Sequence, residues 1–362
     1  MALTTVDAGL LSSQSQQTWR NRIINGAMVI DQRNAGASVT ATSNPYTLDR
    51  WAAFGSQAAK YTVQQNAGSV TPPAGFANYL GATSSSAYSV TSTDYFALVQ
   101  PIEGYNIADL AWGTASASAV TLSFKVYSSL TGTFGGAIQN SARNRCYPFS
   151  YTISSANTWT TISVTIAGDS SGTWLTTNGV GMYVVLSIGM GSTYANTAGA
   201  WAAGNYWSAT GATSVVGTNG ATFYVTGVQL EKGSTATSFD YRPYGTELGL
   251  CQRYYETSAD FGTNAQYDGQ QIVVGVGGTT FGTAVSFCQG KPFSVRKRTA
   301  PTVVLYYQDG SAGNVYRIDN AAKIAAVALY LNPAGFLYTY SASAAFNQGY
   351  GYYYSFTANA EL

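Results

Sequence analysis

The stretch Val120-Thr121-Leu122-Ser123-Phe124-Lys125-Val126 places an apolar residue at every even position and a polar one at every odd position. On a helix those four apolar side chains would scatter around the axis; on a strand they share one face. The same period of two recurs at Ile162, Val164 and Ile166, and again at Met182, Val184, Leu186 and Ile188. Each run reads as a strand with one face in a core and the other toward water. Phe223 and Val225 begin a further run whose parity shifts before Val228 and Leu230. Gly227 sits at the shift, and a β-bulge there accounts for it. Turns rich in Gly, Ser, Thr and Asn separate these runs, with no long helical period between them. The pattern predicts an all-β chain built on an antiparallel jelly-roll β-sandwich.

Before these strands, residues 1–20 are rich in Thr, Ser and Gln, with too little apolar surface to fold alone. They read as a short extended N-terminal arm that orders on a partner. Ordered sequence begins near Arg22-Ile23-Ile24-Asn25-Gly26, where Asn25-Gly26 is a strong turn signal. After the strands, Asp240-Tyr241-Arg242-Pro243-Tyr244-Gly245 punctuates the chain, and Leu248, Cys251, Gln252 and Tyr255 have the spacing of a short helix. A boundary near residue 246 divides a jelly roll over 21–245 from a second, smaller β-sandwich domain over 246–362. Strand-like runs in the second domain are Ile272–Val276, Val285–Cys288, Thr302–Tyr307 and Tyr352–Ala358, the last with Tyr352, Tyr354, Phe356 and Ala358 on one face. Lys323–Leu331 is Ala-rich, but Val327, Leu329 and Leu331 alternate, which favours strand over helix. No internal repeat of fixed period is visible, so a repetitive fibre shaft is not expected.

Of the 362 residues 46% are apolar, enough for real cores, but only 9% are charged, against roughly 25% in ordinary soluble proteins. Ser, Thr, Asn, Gln, Gly and 28 tyrosines fill the polar faces instead. Such surfaces suit tight assembly, because few ions need desolvating when they meet. A net charge of +1 supplies no basic excess to grip phosphates, so nucleic acid is not an expected partner. The one basic run, Lys291 with Arg296, Lys297 and Arg298, reads as a solvated turn before a strand. Cys146, Cys251 and Cys288 are an odd count without metal-type spacing, so free thiols are expected, as in a protein made in a reducing cytoplasm. No apolar run approaches the 18 or so residues that cross a bilayer, and no membrane insertion is expected.

Histidine is absent. That removes the usual general base, the Ser-His-Asp and Cys-His arrangements, and the commonest transition-metal ligand. Gly168-Asp169-Ser170-Ser171-Gly172 matches the G-x-S-x-G string of hydrolase elbows, but it follows an alternating strand and no helical pattern follows it. A hairpin turn is the expected structure. Glycoside hydrolysis needs only two carboxylates, and Glu103, Asp109 and Asp169 are the first candidates among 16 scattered acidic residues. The expectation is a protein that is not an enzyme and has no cofactor and no metal.

Binding by aromatic faces and neutral hydrogen bonds remains. Tyr194, Trp201, Tyr206 and Trp207 lie in a segment without strand alternation, which reads as a lid on the core, a subunit contact or a sugar platform. Trp51 and Trp112 read as core. Tyr306 and Tyr307, with Tyr316, Tyr338, Tyr340 and Tyr350, make the second domain the other candidate surface.

Several segments resemble, in the same order, those of tail-fibre and other virion appendage proteins of tailed bacteriophages. They are Asn21-Arg22-Ile23-Ile24-Asn25-Gly26-Ala27-Met28-Val29-Ile30-Asp31-Gln32-Arg33, Tyr46-Thr47-Leu48-Asp49-Arg50-Trp51 and Gln100-Pro101-Ile102-Glu103-Gly104. Phe223-Tyr224-Val225-Thr226-Gly227-Val228-Gln229-Leu230-Glu231-Lys232-Gly233 and the closing Tyr354–Leu362 complete the set. The resemblance implies a carbohydrate-binding-module-like jelly roll followed by a smaller β-domain, in a homotrimer on the virion. The leading expectation is attachment to a host surface glycan, with the arm docked on a phage tail or capsid protein and the domain over 246–362 meeting the host surface. A head-fibre or capsid decoration protein with a purely structural role is the alternative, and a glycan-cleaving depolymerase the third.

Overall fold

Val120, Leu122, Phe124 and Val126 are all buried in one strand, and Met182, Val184, Leu186 and Ile188 are fully buried in another that faces it across the core. Alternation of this kind puts one face of every long strand into a common interior, and two such faces make a sandwich. The computed structural model describes residues 19–42, 44–258, 272–273, 289–307, 309–317, 322–340 and 351–362. The first 18 residues of the expected arm lie outside the described residues. Contacts divide the chain into two compact units: residues 1–29, 37–244 and 362, and residues 30–36 with 245–361.

The strands of the first unit are β1 (Val39–Thr40), β2 (Tyr46–Leu48), β3 (Trp51–Gly55), β4 (Tyr61–Gln65), β5 (Leu80–Ser84), β6 (Tyr95–Glu103), β7 (Val120–Ser128) and β8 (Gly132–Asn140). They continue with β9 (Arg145–Ile153), β10 (Thr160–Ile166), β11 (Val180–Met190), β12 (Ala195–Asn196), β13 (Ala202–Ala203), β14 (Ser208–Ala209) and β15 (Thr222–Lys232). One sheet has the order β1-β4-β5-β15-β7-β10 and the other β13-β9-β8-β11-β6-β3-β2. From β5 to β8 successive strands alternate between the sheets, and β10 and β11 do so again, which is jelly-roll connectivity. The pairs are antiparallel, as in β7–β10, where Phe124 faces Ile162. The expected bulge is present: the β15–β7 register shifts between Thr226 and Gln229, and Gly227 takes φ +61°, so that Phe223, Val225, Val228 and Leu230 all reach the core.

Segments far apart in sequence meet at one edge of this core. Asn21 accepts the Leu230 amide at 3.1 Å and donates to the Val228 carbonyl at 3.0 Å, just past the bulge. Gln100 exchanges two hydrogen bonds with the Ile24 backbone, at 3.0 and 2.8 Å, replacing a missing strand neighbour with a side-chain amide. Asn25 donates to the Asp49 carbonyl, Trp51 to the Asn25 carbonyl, and Arg50 to the Pro101 carbonyl. Four of the five landmarks of the sequence resemblance therefore contribute to one buried polar latch, and the closing Tyr354–Leu362 does not.

Two expectations change here. The Gly168–Gly172 string is not a hairpin turn. It lies in the crossover from β10 in one sheet to β11 in the other, and Asp169 is buried there because Arg145 grips both its oxygens, at 2.6 to 3.1 Å. The basic run is solvated only in part: Arg296 is exposed, but Lys297 is not. Lys297 is buried in the second unit, donating to the Gln252 and Val295 carbonyls and to Glu256, so each ammonium proton has an acceptor. Burial pulls its ammonium below the ordinary lysine range, with Glu256 opposing. Arg298 donates to the Ala360 and Glu361 carbonyls.

Apart from residues 30–36, the second unit opens with helix α1 (Tyr244–Gln252). Its strands are β16 (Tyr255–Thr257), β17 (Ile272–Val273), β18 (Gln289–Pro292), β19 (Thr302–Tyr306), β20 (Asn314–Arg317), β21 (Lys323–Asn332), β22 (Gly335–Tyr340), β23 (Gly351–Tyr353) and β24 (Ser355–Asn359). They form sheets of order β16-β24-β19 and β17-β23-β20-β21-β22-β18 around Phe293, Leu305, Val315, Phe336 and Phe356. Lys323–Asn332 is thus a strand, and the expected Tyr352–Ala358 strand is two, split at the buried Tyr354. The expected strand at 285–288 lies outside the described residues. Ile30–Gly36 joins this unit through a turn in which Asp31 accepts the Asn34 and Gly36 amides, while Arg33 pairs with Glu361 at 2.9 Å and lies over the Tyr255 ring.

Candidate functional site

The outer face of the seven-stranded sheet carries small residues at its centre. Register sets Val99 beside Ala52 and Val185, and Val185 beside Ala137. Small side chains leave a shallow floor, and Trp207 fills it, buried against Ala97, Val99 and Val185. Trp207 rides on the segment after β11, which crosses the sheet so closely that a Cβ on Gly135 would stand 2.3 Å from the Ser208 hydroxyl. The segment is held by the parallel β12–β14 pair and by the Trp207 amide, which donates to the Tyr194 carbonyl at 2.8 Å. Around the indole stand Tyr95, stacked at 5.1 Å between centroids, Phe54 at 5.7 Å and Tyr194 at 6.5 Å.

Arg143 completes the group. It occupies the four-residue turn between β8 and β9 with φ +51°, a left-handed conformation that costs a non-glycine residue about 1 kcal/mol. Asn140 fixes that turn: its Oδ1 accepts the Asn144 and Arg145 amides, and its Nδ2 donates to Asn144 Oδ1 and the Thr173 carbonyl. The guanidinium lies 4.5 Å from the Tyr183 ring centroid, 4.6 Å from Trp207 and 5.3 Å from Phe54. On the same indole, Asn205 Oδ1 accepts Trp207 Nε1 at 2.7 Å and Gln139 Nε2 at 3.2 Å. Two donors on one oxygen fix the amide orientation and turn Asn205 Nδ2 away from them, on an exposed residue. The face thus offers ring surface, a flat cation and an amide donor, all on strands or pinned turns. Among the described residues no group of three or more His, Cys, Asp or Glu side chains converges as a metal site would.

The six residues singled out from sequence do not share one platform. Tyr194 and Trp207 belong to the face just described. Tyr206 lies beside them, half-buried, with its ring against Gly204 and its carbonyl accepting Gln139. Trp201 turns elsewhere and packs edge-on to Trp112, Trp174 and Tyr147 at 5.2 to 5.5 Å, against the main core. Trp51 and Trp112 are buried in that core. Tyr306 and Tyr307 belong to the second unit: Tyr306 is half-buried near the Thr357 hydroxyl, and Tyr307 is buried 5.6 Å from the Tyr316 ring, with Lys323 over it. Tyr350 and the side chains of Tyr338 and Tyr340 lie outside the described residues.

Sequence reasoning did not single out Arg143, Phe54, Tyr183 or Asn205. Tyr183 carried a signal, since an aromatic at the outward position of an alternating strand needs a reason. Arg143 carried another, a charge in a tight turn of a chain that has few. The candidate carboxylates are held by structural partners: Asp169 by Arg145 and Trp174, Asp109 by Arg22 and Lys232, while Glu103 is buried. Cys146 is a buried free thiol that burial pushes up, and Cys288 lies outside the described residues.

No protein-family model matches the chain, and no curated protein does. Solved structures do. A putative sugar-binding protein from Bacteroides thetaiotaomicron is 14% identical over 59% of this chain and all of that one, with a TM-score of 0.36. The family 11 carbohydrate-binding module from Clostridium thermocellum, complexed with a mixed-linked tetrasaccharide, is 12% identical over 55% of this chain and 98% of its own, with a TM-score of 0.27. The enzymatically active domain of tailspike protein 4 from bacteriophage CBA120 is 12% identical over 59% of this chain, which spans 21% of that one, with a TM-score of 0.32. At TM-scores below 0.5 these likenesses assign nothing to the present chain. Its jelly-roll architecture rests on its own strand order and register.

Proposed function

We propose that this chain is an attachment protein of a tailed-bacteriophage particle, and that the outer face of its seven-stranded sheet binds a glycan of the host surface. The observation that carries the reading is the grouping of Tyr183, Phe54, Trp207, Arg143 and Asn205 on one rigid sheet face. Saccharides present apolar C–H faces rimmed by hydroxyls, and rings flanked by fixed amide and guanidinium donors match both. The ordered series of segments resembling phage appendage proteins supports the virion setting. Binding without catalysis is part of the proposal, as is a homotrimer assembled on the virion with the arm on a tail or capsid protein. Many copies acting together would raise weak single-site binding by about 10² to 10⁴.

The purely structural reading has one observation in its favour. Val327, Leu329 and Leu331, exposed by 50, 40 and 37%, line the outward side of β21, which is apolar surface suited to protein contact. Binding of the purified chain to host and non-host cells, with host polysaccharide as competitor, separates the two. Host-selective binding abolished by the polysaccharide and by Tyr183→Ala supports attachment. A folded protein that binds neither cell type but loads onto purified capsids would replace it with the structural reading.

A further inference from the structure

Most cations described in the jelly roll have a matched partner. Arg22 faces Asp109, Arg145 faces Asp169, and Arg50 donates to the Pro101 carbonyl. Arg143 differs: among the described residues its guanidinium makes neither an ion pair nor a hydrogen bond, and its side-chain contacts are the three rings. It is half-buried, yet none of its nitrogens is among the buried polar atoms that lack a partner, so all of them remain open to solvent. Three rings lie within 5.3 Å of the guanidinium carbon, and its N–H groups, which no acceptor among the described residues takes up, are what it offers to a ligand. Asp94, just before β6, is turned to Ser56, Thr91 and Tyr88, and Glu103 at the far end of β6 is buried. Asn205 Nδ2 supplies a second outward donor on the same indole.

Donors without a nearby acceptor call for an acceptor on the ligand. A planar guanidinium with free edges matches a planar carboxylate with two parallel hydrogen bonds, which a lone hydroxyl cannot supply. A half-desolvated setting backed by rings strengthens that attraction relative to open water. The Asn140-fixed turn means that the cation is already in place, so little ordering opposes binding. We infer that the ligand of this face is an acidic glycan, and that Arg143 receives the carboxylate of a uronic-acid-type sugar while Tyr183, Trp207 and Phe54 back it. The inference rests on the reading of this face as a glycan site and adds the class of glycan.

The test uses the full chain and oligosaccharides of alternating uronic acid and neutral hexose. These are compared with the same oligosaccharides after carboxyl reduction, with sulfated analogues and with neutral glucans, by calorimetry. Carboxyl reduction is expected to weaken binding roughly tenfold to a hundredfold. Arg143→Gln should impose the same loss on the acidic ligand and little on the reduced one, with Arg143→Lys between. Added salt should weaken binding of the acidic ligand alone. Equal binding of parent and reduced oligosaccharides would overturn the acidic assignment and leave a glycan site standing. Preference for the sulfated chains would overturn the carboxylate. Absence of binding to any saccharide, by protein whose melting transition is intact, would remove the glycan site itself. The reduction arm needs no variant, so misfolding of Arg143→Gln leaves the test decisive.

Discussion

The two sheets of the jelly roll each carry aromatic residues on their outer faces, and only one of the two groups has the makings of a site. On the six-stranded sheet Tyr127 and Tyr224 stack at 5.4 Å and 6°, and Tyr79 stacks on Tyr224 at 5.1 Å, with Trp159 closing the group. There the polar ends are committed: the Tyr79 hydroxyl donates to the Ala67 carbonyl and accepts the Val70 amide, and Trp159 donates to the Thr71 carbonyl. On the seven-stranded sheet the rings surround a cation with open edges and an amide with an outward nitrogen. Aromatic density therefore marks packing as readily as recognition. Polar groups held in place but not paired make the difference.

The largest effect should come from breaking the packed group. Tyr224→Ala is expected to cost about 3–5 kcal/mol of stability, read as a fall in the denaturant midpoint, with the glycan affinity of the folded protein unchanged. Burial also raises the Tyr79 and Tyr224 phenols above the usual tyrosine range. Since the fold favours their protonated forms, their contribution is full below about pH 10, the unfolded value, and is lost as pH rises beyond it. Alkaline unfolding that is unaffected by Tyr224→Phe would contradict this.

Asp94 tests the frame of the other face. Burial acts to raise its carboxyl, but hydrogen bonds from Ser56, the Thr91 amide and hydroxyl, and Tyr88 together outweigh that and hold it well below the ordinary carboxylate range. Its contribution is present above about pH 4 and is lost as pH falls through the depressed folded value. Asp94→Asn should cost about 1–3 kcal/mol at pH 7 and flatten the acid limb of the stability profile in urea titrations. Smaller again, Tyr183→Ala should weaken glycan binding about tenfold while shifting stability by no more than about 1 kcal/mol. Smallest is Asn205→Ala, a few-fold loss of affinity for one hydrogen bond, with the melting temperature nearly unchanged. Equal loss of binding from Tyr224→Ala and Tyr183→Ala would erase the distinction between the faces.

Much of the fold was legible because period-two alternation has one structural solution when one face must be buried. Val120–Val126, Met182–Ile188 and the parity shift at Gly227 each say which side chains point inward, and all of them do. The site was less legible. Trp207 could be picked out as a large aromatic in a segment of Gly, Ala, Ser and Asn, but its sequence neighbour Tyr206 and the nearby Trp201 looked equivalent and are not. The Lys297 reading and the hairpin reading of Gly168–Gly172 failed for a related reason: a charged residue in a turn-like string says nothing of its surroundings until its partner, Glu256 for Lys297 or Arg145 for Asp169, is known to lie beside it.

By itself, then, the sequence determined the all-β class, the inward face of each long strand, and the absence of histidine chemistry, because these depend on residue type and local spacing. Only the tertiary structure decided that Asn21, Gln100 and Val228 form one latch and that Trp201 is packing. It alone placed Arg143 over rings from three separate segments with its edges free. Those are facts about proximity between segments far apart in the chain, set by sheet order and register, which no local pattern encodes.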